Sequence, residues 1–340
     1  MDITMTTAHT ERRATSFVID SDTGSDDAVA ILIAALTEGS SIRLITTVAG
    51  NVGLERATRN ALYTLDVAGQ AHVPVYRGAA SPLLRSLETA QNIHGEDGLG
   101  DLGLNEPTAS AAETPAVLAL LEVARTEPGQ HALVTIGPMT NIALAISIDP
   151  DFLSRFTHVY CMAGVSDFVG NVTALAEFNV WVDPEATRIV LNAARAEQVT
   201  LVGWDLSRKW GVMRDEDQAA LRAVGTPVAD FAQRICARLD EYSRTEGGLE
   251  GYDLPDPIAV ALAIDPGMVL ADERAHVSVS TDEATRGALI IDRRVQAEPA
   301  NVRLITEIDE RRFKEIMLAA YVSGPVSSAW TEWNTAASRS

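Results

Sequence analysis

Residues 16–36, SFVIDSDTGSDDAVAILIAAL, set four carboxylates between two apolar runs. The first run, SFVID, is typical of a buried β-strand, and the second, AVAILIAAL, of a buried helix. Strand, loop and helix in this order form the repeating unit of an α/β fold, whose functional sites lie at the carboxyl ends of the strands. Asp20, Asp22, Asp26 and Asp27 therefore occupy the place where an α/β protein carries its site.

The same alternation continues along the chain. It predicts a single α/β domain over residues 16–322, with an open, mixed, mostly parallel, Rossmann-like sheet flanked by helices. Residues 1–15 and 323–340 are rich in small and polar residues and are predicted to be flexible tails, although Trp330 and Trp333 could dock on a neighbour. The further strand and helix pairs are SIRLITTVAG with GLERATRNALYTLDVAG, HALVTIG with MTNIALAISI, and HVYCMAG with the later DPEATRIVLNAARA.

Charge and cysteine content exclude several classes of protein. The 27 basic and 47 acidic residues give a net charge of -20, which would repel nucleic acid and anionic membrane surfaces. Cys161 and Cys236 are too few for a disulfide framework, which favours a reducing compartment. The N-terminal stretch lacks the apolar segment of a signal peptide, and the longest apolar run, residues 28–36, is too short to cross a bilayer. We therefore predict a cytoplasmic protein.

Four neighbouring acids need a neutralising partner. Asp26 and Asp27 lie at a predicted helix N-terminus, where the helix dipole stabilises a negative charge by about 0.3–1 kcal/mol. This term is too small to offset the repulsion among four carboxylates, so some must be protonated or a cation must lie between them. Oxygen ligands without nearby cysteine or histidine indicate a hard ion, Ca²⁺ or Mg²⁺.

Two other metal-linked motifs do not fit this loop. An EF-hand starting at Asp20 requires a carboxylate at its twelfth position, where this chain has Ile31. A phosphatase of the haloacid dehalogenase type carries the motif Asp-x-Asp-x-Thr. In this chain Thr23 follows Asp22 directly, so the motif is not matched.

Later segments supply further polar groups. Asp256 stands between two prolines just before an apolar helix, a pattern that taken alone indicates a helix N-cap. Asp183 precedes Pro184 in the same way, and we interpret it as a cap. Asn171, Glu177 and Asn179 lie in GNVTALAEFN, and their hydrogen-bonding groups suit the hydroxyls of a sugar.

Taken together, these segments resemble the inosine-uridine preferring nucleoside hydrolases. DSDTGSDDAVA is similar to the Asp-x-Asp-x-Gly-x-Asp-Asp signature of that family, and the resemblance runs from about residue 16 to 322. It implies hydrolysis of the N-glycosidic bond of ribonucleosides to base and ribose, nucleoside catabolism and purine salvage, and a homodimer or homotetramer. The other similar segments are TTVAGN (46–51), IHGEDGLG (93–100), VTIGPMTNIALAI (134–146), GNVTALAEFNVWVDPEA (170–186), DPIAVALAIDP (256–266), TRG (285–287) and NVRL (301–304).

The resemblance also implies roles for individual residues. One Ca²⁺ would be held by Asp22, Asp27, Asp256 and the carbonyl of Ile136, and Asp22 would also be the general base that activates a Ca²⁺-bound water. Asp20 would orient the ligand loop from behind. The residues implied to bind substrate are Asp26, Asn51, Asn171, Glu177 and Asn179 at the ribose and His94 beside the nucleobase.

One departure from the family concerns the leaving group. Many members have His-Asp-Pro where this chain has Pro255, Asp256 and Pro257, and that histidine is associated with protonating the departing base. Proline cannot donate a proton, so another group must act or the base must need less help; the candidates are Tyr242, Tyr252 and Asp253. Two alternatives stay open: a hydrolase of another N-riboside, such as a modified nucleoside or nicotinamide riboside, and a non-catalytic ribosyl-binding protein.

Overall fold

The computed structural model describes residues 15–324, 330, 331, 333 and 334. A nine-stranded sheet has the order β10-β9-β11-β6-β5-β4-β1-β2-β3, and β7 and β8 form a separate antiparallel pair. The strands are β1 (Thr15–Ser21), β2 (Ser40–Thr47), β3 (Val75–Arg77), β4 (Ala132–Thr135), β5 (Val159–Met162), β6 (Val199–Val202), β7 (Val212–Arg214), β8 (Gly251–Asp253), β9 (Val269–Val279), β10 (Leu289–Asp292) and β11 (Val302–Ile308).

Thirteen α-helices surround the sheet within the described residues. The four predicted strand and helix pairs are confirmed as β1 with α1, β2 with α2, β4 with α5 and β5 with α7. The helices are α1 (Ser25–Leu36), α2 (Leu54–Val67), α3 (Gln91–His94), α4 (Ala116–Thr126), α5 (Thr140–Ile148), α6 (Phe178–Val182), α7 (Pro184–Ala193), α8 (Trp204–Trp210), α9 (Asp215–Val224), α10 (Pro227–Ile235), α11 (Ala237–Thr245), α12 (Pro255–Ile264) and α13 (Glu310–Val322).

The strand directions locate the functional end of the sheet. β1 pairs in parallel with both β2 and β4, and the parallel part continues through β5 and β6 to β11. Only at the far edge does β9 run antiparallel to β11 and β10. The strand order reverses at β1, and α/β proteins bind ligands at the carboxyl ends of the strands at such a point. The predicted mixed, mostly parallel α/β fold is confirmed.

Two buried helices begin at that point. All residues of α12 and residues 25–34 of α1 are buried, as expected for helices that are apolar on every side. The two helices pack against each other. Each carries acids in its first turn, Asp26 and Asp27 in α1 and Asp256 in α12, so the positive ends of two helix dipoles face the same carboxylates.

The C-terminal segment contributes two rings to the core. Trp330 is 1% exposed and donates to Asp230 Oδ2 at 3.0 Å, while Trp333 donates to the Gly103 carbonyl at 3.1 Å. The rings stack with centroids 4.6 Å apart, so both pack within their own chain. The remaining predicted tail residues, 1–14, 325–329, 332 and 335–340, lie outside the described residues, and the division into a domain and two tails stays a prediction.

Two further observations concern cysteines and membrane spans. Cys161 and Cys236 are buried free thiols. Among the helices of the described residues, none combines the length and the apolar character that crossing a bilayer requires.

Candidate active site

Three carboxylates meet where α1 and α12 begin. One oxygen each from Asp26, Asp27 and Asp256 lies within 4.8 Å of the others. Asp256 is the second residue of α12, and the N-cap position belongs to Leu254, so the helix-cap interpretation is wrong for Asp256. The prediction that Asp183 is a cap is confirmed, because its Oδ1 accepts from the Ala186 amide at 3.0 Å.

Asp22, predicted as a metal ligand and general base, does not belong to that group of three. It is fully buried. Its Oδ2 accepts from the backbone amide of Asn51 at 2.6 Å, and its Oδ1 lacks a hydrogen-bond partner. Burial, together with the nearby charge of Asp27, raises the pKa of Asp22 well above its ordinary value.

Asp27 is held by three donors. Its Oδ1 accepts from Ser21 Oγ at 2.7 Å, and its Oδ2 accepts from the Gly24 amide at 2.9 Å and Asn51 Nδ2 at 3.0 Å. Burial and the charge of Asp26 raise the pKa of Asp27 to about 6. Asn51, predicted to bind ribose, therefore holds the carboxylates of both Asp22 and Asp27.

Asp20 lies behind these acids in the core. Its Oδ1 accepts from Thr46 Oγ1 at 2.5 Å and from Asn141 Nδ2 at 2.8 Å, and burial raises its pKa to about 6. Sequence reasoning missed Thr46 and Asn141. The available signal was their place, near the carboxyl end of β2 and just after β4, in the crevice where sites form.

The donor set fits a hard cation. Oxygens of Asp20, Asp22 and Asp26 are buried without a hydrogen-bond partner, which is costly for a charged group. Burial raises the pKa of Asp26 to about 7, so the group binds protons unusually tightly when no cation is near. A divalent ion among these oxygens would satisfy the unpartnered atoms and stabilise the charged forms.

Asp26, Asp27 and Asp256 form an acidic floor, and Asp26 and Asp256 line a cavity that opens above it. Glu177 Oε1 accepts from the backbone amide of Asn179 at 2.7 Å, and its Oε2 accepts from the backbone amide of Gly164 at 2.8 Å. Burial raises the pKa of Glu177 to about 7. Asn179 Nδ2 donates to the Ile136 carbonyl at 3.0 Å, the oxygen predicted to bind metal. The exposed Asn171 lies at the rim, so the cavity collects the predicted ribose residues Asp26, Asn51, Asn171, Glu177 and Asn179.

His94 also lines the cavity, as expected for a residue near the base. Its Nδ1 lies 2.7 Å from Ser25 Oγ and 3.8 Å from Asp26 Oδ1. Burial lowers the pKa of His94 to about 4, so the ring is neutral at pH 7.

The part of the cavity lining supplied by residues 204 and 239–255, here called the wall, separates the three candidate acids. Tyr242 and Asp253 line the cavity, whereas Tyr252 is 3% exposed and packs into the core outside it. Sequence reasoning missed Trp204 on this wall, although it is the first residue of α8, just beyond the carboxyl end of β6. The wall consists of Trp204, Leu239, Tyr242, Ser243, Gly247, Leu249, Asp253 and Pro255.

The fold and the cavity define a class: a doubly wound α/β protein whose small-molecule site is built on a floor of buried carboxylates. The sequence model described as inosine-uridine preferring nucleoside hydrolase matches residues 17–315. A pyrimidine-specific ribonucleoside hydrolase RihA from Shewanella woodyi is 35% identical over 304 residues, covering 88% of this chain and 96% of that protein.

Solved structures agree with the sequence comparisons. The plant nucleoside hydrolase PpNRh1 superposes with a TM-score of 0.85 at 26% identity, covering 92% of this chain and 100% of that one. A purine-preferring ribonucleoside hydrolase from Gardnerella vaginalis gives 0.84 at 28% identity, with 91% and 98% covered. This chain belongs to the inosine-uridine preferring nucleoside hydrolase family, and the prediction of an N-glycosyl hydrolase is confirmed.

Gly50 offers a sharp test of how Asp22 is held. A Cβ at residue 50 would lie 2.1 Å from Asp22 Oδ2, so Gly50→Ala must displace that carboxylate. We expect the free energy of unfolding to fall by about 1–3 kcal/mol and nucleoside hydrolysis to fall with it, measured by denaturant titration and base release.

Gly53→Ala is the matched control for this substitution. A Cβ at Gly53 would have no neighbour within 4 Å, and its φ of -62° suits alanine. We expect a change within about 0.5 kcal/mol and unchanged hydrolysis. Equal effects of the two substitutions would contradict the close packing of Gly50 on Asp22.

Proposed function

We propose that this protein hydrolyses the N-glycosidic bond of ribonucleosides, releasing free base and ribose in a Ca²⁺-dependent reaction. The observation that carries the proposal is the group of buried carboxylates with unpartnered oxygens on the floor of a cavity. Among its relatives, RihA is described as pyrimidine-specific and the Gardnerella vaginalis enzyme as purine-preferring. Base preference therefore varies within the family.

The acidic floor is the proposed cation site. The proposed ligands are Asp22, Asp27, Asp256 and the carbonyl of Ile136. Burial, followed by repulsion from neighbouring carboxylates, raises the pKa of Asp22 and Asp256, which supports a cation between them. Bound Ca²⁺ would supply positive charge that stabilises the carboxylates, holds the ribose diol and makes a coordinated water more acidic. Asp26 also lies within reach of this site and lines the cavity, and we assign it to the ribose as the resemblance to the family implies.

Asp22 is the proposed general base. The backbone amide of Asn51 donates to its Oδ2, which leaves the unpartnered Oδ1 free to take a proton from the attacking water. Proton transfer of this kind is typically worth about 10²–10⁴-fold in rate. The water oxygen then bonds to C1' of the ribose as the bond from C1' to the base breaks.

The cavity residues are proposed to hold the ribose. Cleavage of the glycosidic bond develops positive charge on the sugar ring, and negative groups stabilise that charge more in the transition state than in the substrate. Asp26 and Glu177 supply such groups, and Asn51, Asn171 and Asn179 supply amides for the hydroxyls. His94 is assigned to the base, because its neutral ring lines the cavity beside Ser25.

The cellular setting is part of the same proposal. We assign the enzyme to nucleoside catabolism, including purine salvage, as a cytoplasmic homodimer or homotetramer. The net charge of -20 argues against nucleic acid or an anionic membrane as partner. Analytical ultracentrifugation would measure the oligomeric state directly.

The test is a panel of purine and pyrimidine ribonucleosides with release of base and ribose followed by chromatography. The same panel is run after exhaustive chelation and again after Ca²⁺ is restored. We expect release from at least one nucleoside, its loss on chelation and its recovery with Ca²⁺. No release from any member would favour a non-catalytic ribosyl-binding protein, and release that survives chelation would contradict the Ca²⁺ site.

A further inference from the structure

A second buried carboxyl, apart from the acidic floor, lies on the wall of the same cavity. Asp253 is the last residue of β8 and is 5% exposed, and it lines the cavity beside Trp204 and Tyr242. Much of this wall is apolar, including Leu239 and Leu249. A carboxyl in such a position is desolvated on one side and open to a ligand on the other.

Burial shifts the Asp253 carboxyl towards its protonated form, against the effect of its polar neighbours. Burial raises the pKa of Asp253 above its ordinary value, while hydrogen bonds with the side chains of Ser207 and Trp204 lower it by a smaller amount. Among the described residues no salt bridge reaches Asp253. The nearby Arg208 pairs with Asp167 at 2.8 Å and lies over the Trp204 ring at 4.5 Å, and its charge lowers the pKa of Asp253 without an ion pair between them.

The Ser207 hydroxyl can form a hydrogen bond with either protonation state of Asp253. Its Oγ lies 2.6 Å from Asp253 Oδ2 and 2.8 Å from the Trp204 carbonyl, but it has one hydroxyl proton for these two acceptors. When the hydroxyl donates to the carbonyl, the short contact with Asp253 is a hydrogen bond only if the carboxyl carries the proton. Ser207 thus accommodates both protonation states of Asp253.

The chain segment that carries Asp253 spans the site. Asp256, three residues on, belongs to the acidic floor, and Asp253 lines the same cavity beside Trp204 and Tyr242. Pro255 between them offers no donor. Of the candidate acids, Tyr252 is outside the cavity, and a carboxyl gives up its proton more readily than a phenol.

We propose that Asp253 is the acid that protonates the departing nucleobase. As the bond from C1' to the base breaks, its electron pair passes to the base, whose ring nitrogen or carbonyl oxygen takes the carboxyl proton of Asp253. The water oxygen bonds to C1' and its proton passes to Asp22. Exchange with solvent then returns a proton to Asp253 and removes one from Asp22. This role rests on the proposed function.

The experiment varies the leaving group. Asp253→Asn keeps the shape of the side chain but cannot give up a proton, and 4-nitrophenyl β-D-riboside releases an anion that needs none. We expect the substitution to lower kcat/KM for the best ribonucleoside at least about 10²-fold more than kcat/KM for the nitrophenyl riboside. Circular dichroism and Ca²⁺ titration check that the variant is folded and binds the ion.

Tyr242→Phe is the matched variant, because it removes the hydroxyl of the other candidate acid that lines this wall. We expect it to change both substrates by similar factors. Equal losses on both substrates for Asp253→Asn, no loss on either, or a selective loss of nucleoside hydrolysis in Tyr242→Phe would overturn the role of Asp253 alone. A wild-type protein that is inactive on every nucleoside and on the nitrophenyl riboside would instead overturn the proposed function, and this role with it.

Discussion

Asp22→Asn is expected to lower kcat for nucleoside hydrolysis by about 10²–10⁴-fold in protein that still binds Ca²⁺. Asparagine keeps the oxygen that accepts from the Asn51 amide at 2.6 Å, so the loop should keep its shape. What is lost is a carboxylate that can take a proton from water. The measurement is steady-state kinetics at saturating Ca²⁺, with Ca²⁺ binding followed by calorimetry on the same sample.

Asp66→Asn controls for the removal of any buried carboxylate. Asp66 lies in α2, is 8% exposed and accepts from Thr108 Oγ1 and from the Thr108 amide, both at 2.6 Å. Its substitution should lower stability and leave kcat near the wild-type value. Near-native hydrolysis by metal-loaded Asp22→Asn would show that Asp22 is not the base.

Asp256→Asn is expected to remove most of the stabilisation that Ca²⁺ gives the wild-type protein. In wild-type protein, Ca²⁺ at 100 times its Kd should raise the free energy of unfolding by about 2.7 kcal/mol. The substitution should remove most of this gain. In chelator it should make the protein at least as stable as the wild type, because burial and the charges of Asp26, Asp27 and Asp22 disfavour an ionised Asp256 when no cation is present.

Denaturant unfolding of both proteins, with Ca²⁺ and with chelator, measures these four free energies. Asp265→Asn is the matched control, since Asp265 follows the other end of α12 and pairs with Arg312 at 2.6 Å. It should lower stability equally in both buffers and keep the Ca²⁺ gain. An Asp256→Asn variant with the full wild-type gain would place the cation elsewhere.

Local patterns in the sequence were sufficient for the fold class. Apolar runs of strand and helix length predict β1 with α1 and the three later pairs, because the burial that shapes these elements is written in consecutive residues. The proline after Asp183 predicts the cap of α7 for the same local reason. The crowding of four acids after β1 predicts a cation, since charge repulsion depends on neighbours in sequence as well as in space.

Contacts between distant segments decided the rest of the site. Asn51 fixes Asp22 and Asp27, and Asn141 fixes Asp20, through hydrogen bonds that join different strand and helix units. No periodicity encodes such a pairing, because it depends on how the sheet orders its strands. The same is true of Trp330, which is buried against α10 although its segment has the composition of a flexible tail.

Tyr252 and Asp253 show most clearly what the sequence determines and what only the tertiary structure decides. The sequence by itself showed that Pro255 cannot donate a proton, so that another group must act or the base must need less help, and it left Tyr242, Tyr252 and Asp253 as candidates. Successive side chains of a strand point to opposite faces, so only one of these neighbours can face the cavity. The packing of β8 against β7 and α11 places Tyr252 in the core and Asp253 at the cavity, a choice made by tertiary contacts.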